Sequence, residues 1–115
     1  MANTFKQISK AGVTSADVIY TVAGSTTTIV LGLIIGNTQS SDITVTLTLS
    51  TDTGSRSGAN NEDNQPVELL TSTTIPANSS LELLAGNKIV LETTDVINLT
   101  ASAAADISIS VMEIT

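Results

Sequence analysis

The stretch Asp42-Ile-Thr-Val-Thr-Leu-Thr-Leu-Ser50 decides the fold class. Ile43, Val45, Leu47 and Leu49 alternate with Thr44, Thr46 and Thr48. A strict period of two places successive side chains on opposite faces of a strand. Both sets are β-branched or aliphatic and suit a pleated sheet. One face is read as core, the other as a threonine ladder facing solvent.

The same alternation continues on either side. Upstream, Val18, Tyr20 and Val22 share a phase, and Gly24-Ser25 supplies a turn. The segment Thr26 to Asn37 carries Ile29, Leu31, Leu33 and Ile35 on one face and Val30 and Ile34 on the other. Apolar residues on both faces predict a central strand, or one whose second face meets another subunit. Gly32 and Gly36 within that strand predict a bulge or a close backbone approach.

Downstream, Val67, Leu69, Thr71, Thr73 and Ile75 share a phase, and Pro76-Ala77-Asn78 turns. Leu81 and Leu83 form a short strand, Ala85-Gly86-Asn87 turns again, and Ile89 and Leu91 start the next strand. Thr94-Asp95 turns before Ile97, Leu99 and Ala101. Ile107, Ile109 and Val111 form the last strand. Its phase slips at Met112 and Ile114, which predicts a bulge near Val111. No stretch has a helical period. About eight strands with turn signals between them predict an all-β protein. The expected form is a single-domain antiparallel β-sandwich, jelly-roll-like.

Two segments break the pattern. Residues Met1 to Ser15 read as an N-terminal arm ahead of a sandwich over 16–115. Lys6 and Lys10, two of the four basic residues, flank Ile8 there, next to Phe5. Thr51 to Gln65 (TDTGSRSGANNEDNQ) has no apolar period and reads as a long surface loop. Its Asp52, Glu62 and Asp63 lack the ordered ligand spacing of an EF-hand loop, so no metal is assigned to them.

Composition excludes most chemistry. The 115 residues include no His, Cys or Trp, one Tyr and one Phe. Nucleophilic catalysis lacks its usual histidine base, and thiol chemistry is excluded. The acids sit at turns (Asp42, Asp95, Asp106) or in strand patterns (Glu68, Glu82, Glu92), and no pair is placed for general acid–base work. No catalytic residue and no cofactor is assigned. The net charge of −7, with so few aromatic residues, disfavours nucleic acid. The longest apolar run, Ile29 to Ile35, is far shorter than the roughly 20 residues of a membrane helix, so no membrane partner is expected. The opening residues carry no apolar run of a secretory leader. A core of Ile, Val and Leu without large rings is thin, and self-association would add buried area.

In order along the chain, MANTFKQISKA, IYTVAGSTTTIVLGLIIGN, IPANSSLELLAGNKIVLETTDVINLTAS and ISISVMEIT resemble a group of small virion proteins of tailed bacteriophages, many of them marine and cyanobacterial. The resemblance spans most of the chain. Its strongest part runs from Pro76 to Ser102; Thr51 to Gln65 carries none of it.

The resemblance implies a structural component of a particle. The expected role is capsid decoration, or cement, on the outside of the head. The partners would be the major capsid protein and further copies of the chain, a trimer being favoured. Synthesis would be in the bacterial cytoplasm. Phe5, Lys6, Ile8 and Lys10 are the candidates for capsid contact, and Val30 and Ile34 for subunit packing. Two alternatives stand beside this reading. One is a neck, tail or fibre-base component. The other is a carbohydrate-binding attachment module using Thr51 to Gln65.

Overall fold

The computed structural model describes residues 2–51, 65–84 and 87–115. They form nine strands: β1 Asn3–Val13, β2 Asp17–Thr21, β3 Thr27–Asn37, β4 Ile43–Thr51, β5 Gln65–Ile75, β6 Ser80–Glu82, β7 Ile89–Leu91, β8 Val96–Ala101 and β9 Ala105–Ile114. The first sheet has the order β1-β9-β3-β6, with β7 also on β3. The second has the order β2-β8-β4-β5. All pairings are antiparallel. With β6 and β7 counted as two pieces of one strand, this is the eight-stranded double sheet of a jelly roll.

The alternation seen in the sequence places the core. Ile43, Val45 and Leu47 of β4 are buried together with Ile97 and Leu99 of β8. Opposite them, Leu33 and Ile35 of β3 and Ile107, Ile109 and Val111 of β9 line the first sheet's inner face. The turns fall where the sequence puts them. Ser79 N–H donates to Pro76 O at 3.1 Å, and Asn78 takes a left-handed φ of 57°. Asp95, fully buried, accepts the Glu92 N–H through Oδ2 at 3.0 Å.

The predicted arm is corrected. Residues 3–13 are the first strand of the jelly roll, paired with β9 from Asn3↔Ile114 to Val13↔Ala105. The segment reads as polar because its inward positions hold Lys6, Ile8 and Lys10 rather than three aliphatic residues. Removing 1–10 therefore strips a strand from the first sheet.

A bulge between Lys10 and Val13 ends the regular part of β1. Gly12 sits there at φ 70°, its N–H donating to Asp106 Oδ1 at 3.0 Å. A β-branched side chain is strained in that region. Gly12→Val should destabilise the fold by about 2 kcal/mol in urea unfolding, mostly through backbone strain. A loss under roughly 0.5 kcal/mol would mean that the bulge relaxes to an ordinary φ.

The two-faced pattern of β3 also has a structural cause. Pairing with β9 shifts between Val30 and Gly32, so Leu31 is an extra residue. Thr28 and Val30 point inward before the shift, and Leu33, Ile35 and Asn37 after it. The bulge expected at Gly32 is present. The one expected in β9 near Val111 is not, because β9 keeps its phase and the irregularity lies across from it on β3. Glu113, not Met112, takes the inward position.

Of the predicted loop, Thr51 and Gln65 are strand ends: Thr51 Oγ1 donates to Gln65 O and accepts the Gln65 N–H, both at 2.9 Å. The rest of that loop, its Asp52, Glu62 and Asp63, and the Ala85-Gly86 part of the next turn lie outside the described residues.

Candidate functional site

The outward face of the first sheet is the chain's most distinctive surface. The register aligns Phe5 of β1 with Met112 of β9, Met112 with Ile29 of β3, and Ile29 with Val90 of β7. These four side chains form one apolar row across the full sheet. Phe5 is 72% exposed and Val90 59%, the two most exposed large hydrophobic residues described. The next outward row is Gln7, Ser110 and Gly32, followed by Ser9, Ser108, Ile34 and Glu82.

Beyond the apolar row the face is low. Gly32 and Gly36 both have ordinary φ, and a Cβ at Gly32 would meet nothing within 4 Å. At Gly36 the nearest atom is Asp106 O at 3.9 Å. Neither glycine is forced by backbone conformation or crowding inside the fold. Glycine weakens a strand interior and marks places where another chain comes close. A hollow of about 440 Å³ lies here, walled by Ser9, Ile34, Gly36 and Ser108 and bordered by Lys10 and Asp106. Only Glu82 and Asp106 put charge among these outward rows, both at the end away from Phe5.

The second sheet's outward face differs. Thr44, Thr46 and Thr48 of β4 run beside Thr100 and Asn98 of β8, the ladder read from the sequence. Its large apolar exposure is confined to Val18 on β2, 47% exposed; Val67 of β5, 44% exposed, pairs with Leu49 and lies on the inward side at the sheet edge.

The sheet edges are guarded against strand addition. β1 turns Lys6 and Lys10 inward; β6 and β7 have three residues each. β2 is short and bulged at Ile19, and β5 carries Pro66, Glu68 and two register shifts. Such features suppress edge-to-edge pairing. Contact is left to the faces.

The candidate residues separate accordingly. Phe5 and Ile34, the latter 42% exposed, share the outward face. Ile8 packs against the core, and Val30 is fully buried within it. Lys10 Nζ binds Asp17 Oδ1 at 3.2 Å and Val18 O at 2.8 Å. Lys6 Nζ lies 2.8 Å from Glu113 Oε1. Both lysines therefore hold β1 in place. Sequence reasoning missed Met112, Ile29 and Val90 as partners of Phe5, since only cross-strand register aligns them.

Glu113 anchors a polar cluster between the sheets. Tyr20 Oη donates to its Oε2 at 2.5 Å. That uses the phenol's single proton, so Thr28 Oγ1, at 2.8 Å from Tyr20 Oη, donates to the phenol. Burial first, then the hydrogen bond to Glu113, pushes the Tyr20 pKa up to about 12. The Lys6 ammonium, then the Tyr20 hydroxyl, holds the Glu113 carboxyl below its ordinary range. Among the described residues no three acids gather as a metal site.

No protein-family model matches the chain, and no curated protein matches it. It is similar to a solved chain from Bacillus, described as "Bacillus endospore appendages form a novel family of disulfide-linked pili". The TM-score is 0.51 at 14% identity, covering 99% of this chain and 87% of that one. At that identity the likeness shows the fold alone.

Proposed function

We propose that this chain is a non-enzymatic structural protein of a phage particle, a decoration protein that lies on the outside of the head and ties neighbouring shell subunits together. The observation that carries a contact role is the outward face of the first sheet. It has an apolar row ending in a 72%-exposed Phe5, two unforced glycines and almost no charge, in a chain of net charge −7. An exposed apolar patch on an otherwise polar protein marks an interaction surface. The stretches that resemble tailed-phage virion proteins supply the particle. The mechanism is area multiplied by copy number: each contact is modest, and many around a closed shell add up.

A second reading is a neck or tail component; the fold neighbour, described as forming pili, shows this fold in another assembling protein. The disulfides named for those pili have no counterpart here, because this chain has no cysteine. Quantitative mass spectrometry of purified particles separates the readings. A decoration protein should be present on the order of hundreds of copies, and a neck ring at about a dozen or fewer. Absence from particles would sink both.

A further inference from the structure

Resting on that reading, we propose that the partner of this face is a second copy of the chain, packed face to face about a two-fold axis. The face carries both halves of a self-complementary contact. Phe5 projects at one end, and the hollow between Ser9, Ile34, Gly36 and Ser108 opens at the other. Phe5 and Ser9 are four residues apart on one strand, roughly 13 Å. A two-fold axis midway, at the Gln7–Ser110–Gly32 row, carries each Phe5 into the other copy's hollow. This is what an isologous interface requires, the same patch serving both partners. The residues at the axis are small or flat-lying, and Gly32 leaves open space there.

Charge favours this axis over a two-fold axis parallel to the strands. Under the two-fold axis, Glu82 and Asp106 lie opposite the partner's Phe5 end. Asp106 is then roughly 26 Å from its own copy across the axis, well beyond the screening length of about 10 Å at ordinary salt. A two-fold axis parallel to the strands would instead hold Glu82 and Asp106 at the level of their own copies. Area is sufficient as well. The strand columns, β1, β9, β3 and the short β6 and β7, offer roughly 600 Å² per copy, at the lower end of the roughly 600–1,000 Å² per partner of a stable interface. With the edges guarded, face pairing is the open route to association.

The test uses the purified full chain. Sedimentation should show a dimer at micromolar concentration, and Phe5→Glu should weaken it at least about thirtyfold, as loss of an aromatic anchor seated in a pocket does. Because the chain lacks cysteine, Ser110→Cys provides a single handle beside the axis. A short bis-maleimide should join two copies of it and leave Thr100→Cys, on the other sheet's outward face, monomeric. Ser110 and Thr100 are exposed, so both variants keep the fold. A monomer at high concentration, a trimer, or equal cross-linking of the two cysteine variants would overturn the pairing. If wild-type chain decorates particles but never pairs, the proposed function stands and this inference fails. If it pairs but is absent from particles, the reverse holds.

Discussion

Asn37→Ala should lower the unfolding free energy by about 3 kcal/mol, which for a domain of this size is a fall of about 12 °C in midpoint. Asn37 closes β3 and is 3% exposed. Its Nδ2 donates to Ser41 O and Ile75 O at 2.9 Å and to Pro76 O at 3.1 Å. Its Oδ1 accepts the Gln39 N–H at 2.8 Å. One side chain thus ties the β3–β4 connection to the exit of β5, across the two sheets. Each such bond contributes about 1 kcal/mol net, and stranding a buried carbonyl costs more. Asn37→Asp should be worse at neutral pH, since a carboxylate would face three carbonyl oxygens with nothing to donate. Urea unfolding followed by circular dichroism measures both. A loss below about 1 kcal/mol for the alanine variant would mean that water replaces the amide and the knot is not buried.

The legibility of this fold followed the chemistry of each strand. β4 could be read from its sequence because its inward positions from Ile43 to Leu49 are all aliphatic and its outward positions mostly threonine. The turns at Pro76-Ala77-Asn78 and Thr94-Asp95 could be read because their residues fit left-handed or capped geometry; Asn78 and Thr94 both have positive φ. β1 could not, because an edge strand that defends itself with inward lysines looks like a polar arm. Phase was misjudged at the end of β9 for a related reason. Met112 and Ile114 are apolar but outward, and Glu113 is inward but satisfied by Lys6 and Tyr20. Pattern reading assumes that charge means outside, and that assumption fails wherever a buried charge has partners.

The contact face was legible only in fragments. Phe5 and Ile34 stood out singly as apolar residues out of place, and Gly32 and Gly36 as glycines in a strand. Their meeting on one surface depends on β1 pairing with β9 and β9 with β3, contacts about 100 and 80 residues apart in sequence. The bulge at Leu31 matters as much. Without its shift of phase, Ile29 and Ile34 could not both face outward from one strand.

The Tyr20–Glu113–Lys6 cluster should give the chain two pH limits, one of which can be read directly. Tyr20 is the only tyrosine, and no cysteine or tryptophan interferes with its ultraviolet titration. In the folded protein its tyrosinate absorbance should rise with a midpoint near 12, against about 10 for a free phenol. A phenol whose pKa is raised by folding stabilises the fold fully below its unfolded value. That contribution is lost as pH climbs from about 10 toward 12. Glu113→Gln removes the charge that opposes ionisation. It should bring the midpoint down, yet leave it above 10, because burial is the larger cause.

At the acid end the sign reverses. The folded Glu113 pKa is depressed, so its contribution is present above the ordinary carboxylate range and is lost as pH falls through the folded value. The Gln variant should therefore lose less stability than wild type between neutral pH and acid. Glu113→Ala should cost about 2 kcal/mol at pH 7, in the range for a hydrogen bond to a charged group. Most of that loss should persist in high salt. Lys6 is half exposed and its share is screened, whereas the Tyr20 hydroxyl, a neutral donor to a carboxylate only 13% exposed, is not. A wild-type tyrosine titrating near 10 would refute the cluster, and with it the register that places Glu113 inward on β9.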